Sequence, residues 1–226
     1  MKKTIILALL SCGALSASGA VIETLSGDLS DYTSTVILDA NGGSQNTASW
    51  SLTGDSLALT TSTYDGIQQY AMIYDGFSLS VGDEVKLALT HTGASQDIGL
   101  YVGGTAPTFN VRQDYVAVYA RGNGELYSRG FDGTGELGLS AAGIVTYDSL
   151  FIARTGSNTY ELGYYDGATR TVIVTRTPTT ANDGEYVGIY ADVRAVGTLG
   201  SLTVVPEPSI ALLGGLGLLG LARRRR

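Results

Sequence analysis

Four residues of one short stretch have the types and spacing to grip a ligand. Tyr115, Tyr119, Tyr127 and Arg129 fall on a single face if the stretch 114–131 folds as a hairpin. A three-residue loop, Gly122-Asn123-Gly124, pairs Arg121 with Glu125 and Tyr119 with Tyr127. Strand side chains alternate, so Val116, Val118, Ala120 and Leu126 take the opposite face, and Phe131 joins the tyrosines. The Val/Ala/Leu set is an ordinary core face; the tyrosine set, with Arg129, is aromatic and cationic. Rings stack on the apolar faces of sugars while polar groups take their hydroxyls, so an open face of this kind suits a glycan. Trp50 is an outlying aromatic candidate. The ordinary alternative is that the face packs against a second sheet or forms a Tyr-rich exterior.

A second set of residues has metal chemistry in reach. Tyr-Asp-Gly recurs at Tyr64, Tyr74 and Tyr165, with Phe131-Asp132-Gly133 as a variant. Asp65, Asp75, Asp132 and Asp166 therefore offer carboxylate oxygens, the ligand type that Ca²⁺ takes. The plainer reading is an aromatic strand end followed by an Asp-Gly turn.

Catalytic constellations are sparse. Retaining glycosidases need two carboxylates ~5 Å apart. The acidic pair at alternate positions, Asp183 and Glu185, falls in a predicted turn. His91 is the single histidine, and no Gly-x-Ser-x-Gly elbow accompanies it. The one cysteine, Cys12, lies in the leader described below, which excludes Cys/His zinc sites and intrachain disulfides from the rest. The residues read as a non-enzymatic protein with no catalytic residue and no cofactor other than calcium.

The elements that must position these residues are short strands. Turn signals recur roughly every ten residues, among them Asn41-Gly42-Gly43, Asp65-Gly66, Asp75-Gly76, Asp132-Gly133 and Asp166-Gly167. The intervals are β-rich: 34–40, 56–61, 68–74, 84–90, 97–102, 114–121, 125–131, 150–154, 160–164, 170–177, 185–191 and 201–205. None carries a sustained helical period. With 31 glycines and 14 tyrosines, the chain reads as an all-β antiparallel β-sandwich over 21–204. Between Val21 and Val205, 20 acidic residues against eight basic ones leave a net charge of −12. Such a body excludes nucleic acid as a partner and disfavours strongly sulfated polymers.

Both ends carry address labels. Residues 1–20 have a basic start at Lys2 and Lys3, an apolar segment from Ile5, and the small residues Ser18-Gly19-Ala20: the parts of a signal peptide. The segment 205–226 holds Pro206-Glu207-Pro208, an apolar run from Ile210 to Ala222, then Arg223, Arg224, Arg225 and Arg226. The 15 uncharged residues from Pro208 to Ala222 make about 22 Å of helix. That is short of a ~30 Å hydrocarbon core unless Arg223 and Arg224 snorkel. The arginines belong on the cytoplasmic side, which leaves the domain on the other.

This order of elements resembles the PEP-CTERM sorting signal of Gram-negative bacteria. The resemblance assigns Pro206, Glu207 and Pro208 to the motif, Ile210–Ala222 to a transmembrane helix and Arg223–Arg226 to the basic end. It implies an integral-membrane exosortase as partner, transient anchoring in the inner membrane, and a destination at the cell surface or in the extracellular matrix. Within the body, Leu162-Gly163-Tyr164-Tyr165-Asp166-Gly167 before the segment 170–176, and Val187-Gly188-Ile189-Tyr190 near the end, resemble the concanavalin A-like jelly roll of legume lectins and laminin-G-like modules. That likeness implies a jelly-roll sandwich, and calcium as a frequent companion. Three functions follow as expectations: a surface or matrix protein that binds exopolysaccharide, an extracellular carbohydrate-active enzyme, and a structural or adhesive coat protein without a small ligand.

Overall fold

The computed structural model describes residues 20–24, 30–39, 48–53, 56–61, 68–91, 97–112, 114–122, 124–192 and 196–205. These form strands and turns. In chain order the strands are β1 (Ala20–Thr24), β2 (Tyr32–Asp39), β3 (Ala48–Thr53), β4 (Ser56–Thr61) and β5 (Gln68–Tyr74). Next come β6 (Glu84–His91), β7 (Ile98–Gly103), β8 (Tyr115–Ala120), β9 (Glu125–Asp132) and β10 (Gly135–Ile144). The last are β11 (Ser149–Gly156), β12 (Thr159–Asp166), β13 (Thr169–Arg176), β14 (Tyr186–Asp192) and β15 (Val196–Val205).

They make two antiparallel sheets. One has the order β13-β12-β11-β6-β15-β4-β3 with β1 added beside β15; the other runs β10-β9-β8-β7-β14-β5-β2. Non-sequential neighbours such as β6 with β15 and β7 with β14 are the crossovers of a jelly roll. The expected all-β jelly-roll sandwich is the fold observed.

Strand alternation builds the core between the sheets. Leu87, Leu150, Ile152 and Leu162 of the first sheet meet Leu100, Val116, Val118 and Ile189 of the second, all fully buried. At one edge Arg176 of β13 bridges the two sheets. Its guanidinium donates to the Ser128 carbonyl (3.0 Å), the Ser128 hydroxyl (3.2 Å) and the Leu137 carbonyl (2.5 Å).

The predicted hairpin is present. Tyr119 pairs with Tyr127, the Arg121 N–H donates to the Glu125 carbonyl at 2.9 Å, and Gly124 takes φ +85°. Three strands escape the sequence reading: β1, β3 and β10. β10 is an edge strand with mostly exposed or half-exposed residues. Its register shifts twice, and Gly138 and Gly143 there have positive φ.

The sandwich fixes where the tail leaves. β15 lies between β6 on one side and β4 followed by β1 on the other. Its last pairs are Val205 with Glu84 and Val204 with Ala20. The chain therefore enters and leaves the sandwich side by side, and β1 begins one residue ahead of the predicted domain start. The leader residues before Ala20 and the segment 206–226, with Pro206, Glu207, Pro208 and the four terminal arginines, lie outside the described residues.

Candidate functional site

The outer face of the second sheet carries a layer of tyrosines. Tyr101 on β7, Tyr115 and Tyr119 on β8 and Tyr190 on β14 are all buried there, with Phe131 of β9 beside them. Each of these tyrosines pairs with a glycine of a neighbouring strand. Tyr119 and Tyr190 both pair with Gly99, Tyr101 pairs with Gly188, and Tyr115 pairs with Gly103. A Cβ on Gly99 would fall 2.8 Å from the Tyr119 Cβ and closer still to backbone, so only glycine fits. The rings stack on one another at interplanar angles of 17–29°. Centroid separations are 5.0 Å for Tyr101–Tyr115, 6.4 Å for Tyr115–Tyr190, 5.0 Å for Tyr190–Tyr119 and 5.9 Å for Tyr119–Tyr127.

The four residues singled out in the hairpin are thus brought together, but not on an open face. Tyr115 and Tyr119 have no exposure. Tyr127 is half-buried, and the Arg129 side chain is 18% exposed. The expectation of an open aromatic face is corrected on this point. Alternation selects the face a residue takes, whereas its burial depends on tertiary packing with Ile37, Ala71, Ile73 and the other aromatic rings of the cluster. Trp50 lies in β3 and His91 ends β6, but their side chains are outside the described residues.

Tyr101, Tyr186 and Tyr190 complete the layer and were not singled out from sequence. A signal was available: Gly99-x-Tyr101-x-Gly103 and Tyr186-x-Gly188-x-Tyr190 alternate glycine with tyrosine at strand spacing. Two such strands side by side pair each tyrosine with a neighbour's glycine.

The polar atoms of this layer are unusual. Among the described residues, the hydroxyls of Tyr115, Tyr119 and Tyr190 and Nε of Arg129 are buried with no hydrogen-bond partner. Buried polar groups in folded proteins are almost always paired. Burial pushes the Tyr119 phenol up to about 12 and raises those of Tyr115 and Tyr190 as well; the nearby Arg129 guanidinium opposes the shift. The phenols therefore keep their protons at neutral pH and serve as hydrogen-bonding groups, not as acids or bases. The closest anion to Arg129 is Glu136 at 3.4 Å, whose side chain is 43% exposed.

The border of the layer is better satisfied. Arg121 donates to both oxygens of Asp97 at 2.8 and 3.1 Å and lies 4.3 Å over the Tyr127 ring. Tyr127 donates to Glu125 at 2.6 Å. Arg112, in the loop before β8, sits 4.4 Å from the Phe131 ring.

The outer face of the first sheet also combines aromatic and charged residues. Glu84 accepts from the Tyr165 hydroxyl at 2.7 Å and from Arg170 Nε at 2.8 Å, and Arg170 reaches Glu161 at 2.9 Å. Arg170 covers the Phe151 ring at 4.0 Å and Lys86 covers the Tyr165 ring at 3.9 Å. A shallow depression of about 330 Å³ lies beside this cluster, lined by Glu84, Arg154, Glu161, Arg170 and Val205. Arg154 there keeps a buried Nε without a partner, while its terminal nitrogens bind the carbonyls of Leu79, Asp183 and Ser157. Glu84 and Glu161 are both ion-paired to the one guanidinium of Arg170.

The aspartates of the Asp-Gly turns are not gathered. Asp132 is a turn clamp: its oxygens accept the N–H and hydroxyl of Thr134 (2.9 and 2.5 Å) and of Thr179 (3.0 and 2.7 Å). These hydrogen bonds, those from Thr134 first, hold its carboxyl well below the usual range and leave no lone pair directed at an ion. Asp75 accepts from the Thr33 hydroxyl at 3.1 Å, and Asp166 is exposed at the β12–β13 turn. Asp65 lies outside the described residues. Among the described residues no group of three or more His, Cys, Asp or Glu side chains is placed to hold a metal.

Comparison with known proteins adds two findings. The solved structures with similar folds include the exoplasmic/lumenal domain of VIP36 in its Ca²⁺-bound form. It is 13% identical, with 79% of this chain and 84% of that one covered and a TM-score of 0.49. The LamA catalytic domain from Zobellia galactanivorans is 8% identical over 82% and 97% of the two chains, with a TM-score of 0.47. A toad ovary galectin in complex with thio-digalactose is 8% identical over 57% and 92%, with a TM-score of 0.38. No curated protein sequence matches the chain. At its C-terminal end, residues 204–226 match the PEP-CTERM protein-sorting motif, so this is an exported, membrane-transiting protein of Gram-negative type that carries a PEP-CTERM address.

Proposed function

We propose that this protein is a non-enzymatic, glycan-binding component of the cell surface or extracellular matrix, delivered there by exosortase processing of its tail, with exopolysaccharide as its partner. The observation that carries the reading is the set of unpartnered polar atoms in the tyrosine layer. Flat aromatic rings with phenol hydroxyls and a guanidinium among them are what a sugar ring takes: stacking for its C–H face, hydrogen bonds for its hydroxyls. Tyr127 and Arg129 reach solvent along β9 and form the way in. The hydroxyls behind them are closed to water, so binding requires the border to open and its association is slower than for a preformed cleft.

The test is a titration of the domain against a panel of neutral and acidic polysaccharides, with calcium and with a chelator. Residues 20–205 contain every strand of both sheets. Tyr119→Phe and Tyr190→Phe keep the rings and remove only the hydroxyls. Binding of at least one polymer, without turnover and weakened about tenfold in each variant, is the expected outcome; each lost hydrogen bond to a ligand costs roughly 1–1.5 kcal/mol. Release of reducing ends would favour the carbohydrate-active enzyme instead. Self-association with no polymer bound would favour the structural coat.

A further inference from the structure

The hydrogen-bonding roles of the same atoms narrow the ligand. Resting on the glycan-binding reading, we infer that the sugar taken by the tyrosine layer carries a carboxylate, as a uronic acid does. The unpartnered set consists of three phenol O–H groups and the Nε–H of Arg129. A guanidinium only donates, and a neutral phenol always brings a proton that needs an acceptor. The phenols can trade hydrogen bonds with the hydroxyls of any sugar, since both kinds of group donate and accept. The guanidinium is the donor-only, charged member of the set, and a neutral sugar offers nothing to answer its charge. A carboxylate only accepts, through two oxygens with about four lone-pair directions, and it answers the guanidinium in charge and in planar shape.

The charges around the layer point the same way. Arg121 is consumed by Asp97 in a two-bond pair. Glu125 is taken by the Tyr127 hydroxyl. That leaves Arg129 with the half-exposed Glu136 at 3.4 Å, beyond a good charged hydrogen bond, and its Nε unsatisfied. Glu136 occupies the place on Arg129 that a ligand carboxylate would take, and its exposure leaves it free to swing aside. The strongly acidic body is no obstacle at close range. Charges more than about 8 Å away are screened at physiological salt, while the pair formed inside the layer is not. Association with a uronate polymer should accordingly speed up as salt is raised from a low value, the opposite of binding to a basic surface.

The experiment uses the full chain in detergent and one polymer in two forms: a polyglucuronate, and the same polymer with its carboxyls reduced to primary alcohols. The native form is expected to bind at least tenfold more tightly than the reduced one. Glu136→Gln should tighten the native form severalfold and the reduced form less, because it removes the competing carboxylate. Arg129→Gln should erase the difference between the forms, with Tm and circular dichroism reporting whether that variant folds. Glu136→Gln, altered at an exposed side chain, keeps the test decisive if it does not. Equal affinity for both forms, lost in Tyr119→Phe, would overturn the carboxylate inference and leave the glycan reading standing. Binding to neither form nor to any neutral polymer would overturn both.

Discussion

The two outer faces of the sandwich use one packing device and end in opposite states. On the first sheet Phe151 lies over Gly163 of β12, and on the second the tyrosines stand at the register positions of Gly99, Gly103 and Gly188. A Cβ on Gly163 would sit 2.7 Å from the Phe151 ring. On both faces strand positions without a side chain stand beside buried aromatic residues. The faces then diverge in polar chemistry. Around Phe151, Tyr165, Arg170, Glu84 and Glu161 interlock, each donor meeting an acceptor. In the tyrosine layer three hydroxyls meet none, and Nε of Arg129 has only the 3.4 Å ion-pair contact to Glu136. The first face leaves one such atom, Nε of Arg154 beside the cluster, whereas the second leaves polar atoms unpaired through the whole layer. Residue type alone does not separate them, since both are mixtures of Tyr, Phe, Arg and Glu.

Alkaline pH should separate the native fold from its parts by the largest margin. Tyr119, Tyr160 and Tyr165 are pushed up to about 12, burial being the main cause in each, and Tyr101, Tyr115 and Tyr190 are raised as well. A folded-state pKa above the unfolded value of about 10 means stability that is full below pH 10 and lost as pH rises toward 12. For a buried tyrosine such as Tyr119 the loss is on the order of 2–3 kcal/mol. Phenolate absorbance near 295 nm should show the exposed tyrosines ionising smoothly and the buried ones appearing together with cooperative unfolding. If the buried phenols instead titrate one by one below the unfolding transition, the layer is not sealed as described.

Breaking the satisfied face comes next in size. Arg170→Ala leaves Glu84, with a side chain 11% exposed, as a carboxylate that has lost its cation. A fully buried case costs roughly 3–5 kcal/mol. Arg170 is about one-third exposed, so screening reduces this to about 2 kcal/mol. Thermal denaturation should show a clear fall in Tm. A fall no greater than that of a surface substitution would mean that the interlocked face contributes little, and the contrast between the faces would lose one side.

How much of this was legible beforehand follows the physics of each feature. The 114–131 hairpin could be read because its turn demands glycine and its core face is strictly alternating; Val116, Val118, Ala120 and Leu126 are all fully buried. β10 was not legible, since Gly135-Glu136-Leu137-Gly138 and the residues after it are polar, bulged and at a sheet edge, where pairing alone makes the strand. Tyr115, Tyr119, Tyr127 and Arg129 could be assigned to one face by period alone. That the face is buried depends on packing with residues distant in sequence, among them Ile37, Ile73 and Tyr190. Asp132 looked like a metal ligand because a turn aspartate offers oxygens. Thr134 is local, but Thr179, its other partner, comes from the far side of the fold.

The smallest effect sharpens the comparison most, because one substitution should act in opposite directions on the two faces. Tyr165→Phe removes a 2.7 Å hydrogen bond and leaves Glu84 short of one donor. A net loss of about 1 kcal/mol is expected. Tyr190→Phe removes a hydroxyl that is buried without a partner, so the unliganded domain loses nothing and gains back part of a desolvation cost of roughly 1–3 kcal/mol. Chemical denaturation of the two variants against wild type gives the signs directly. With a bound polymer present the order should reverse for Tyr190, whose hydroxyl then has an acceptor to lose, while Tyr165→Phe should be indifferent to ligand. Equal small losses in both variants, unchanged by any polymer, would mean that the Tyr190 hydroxyl already has its partner in solution, and that the two faces do the same structural work.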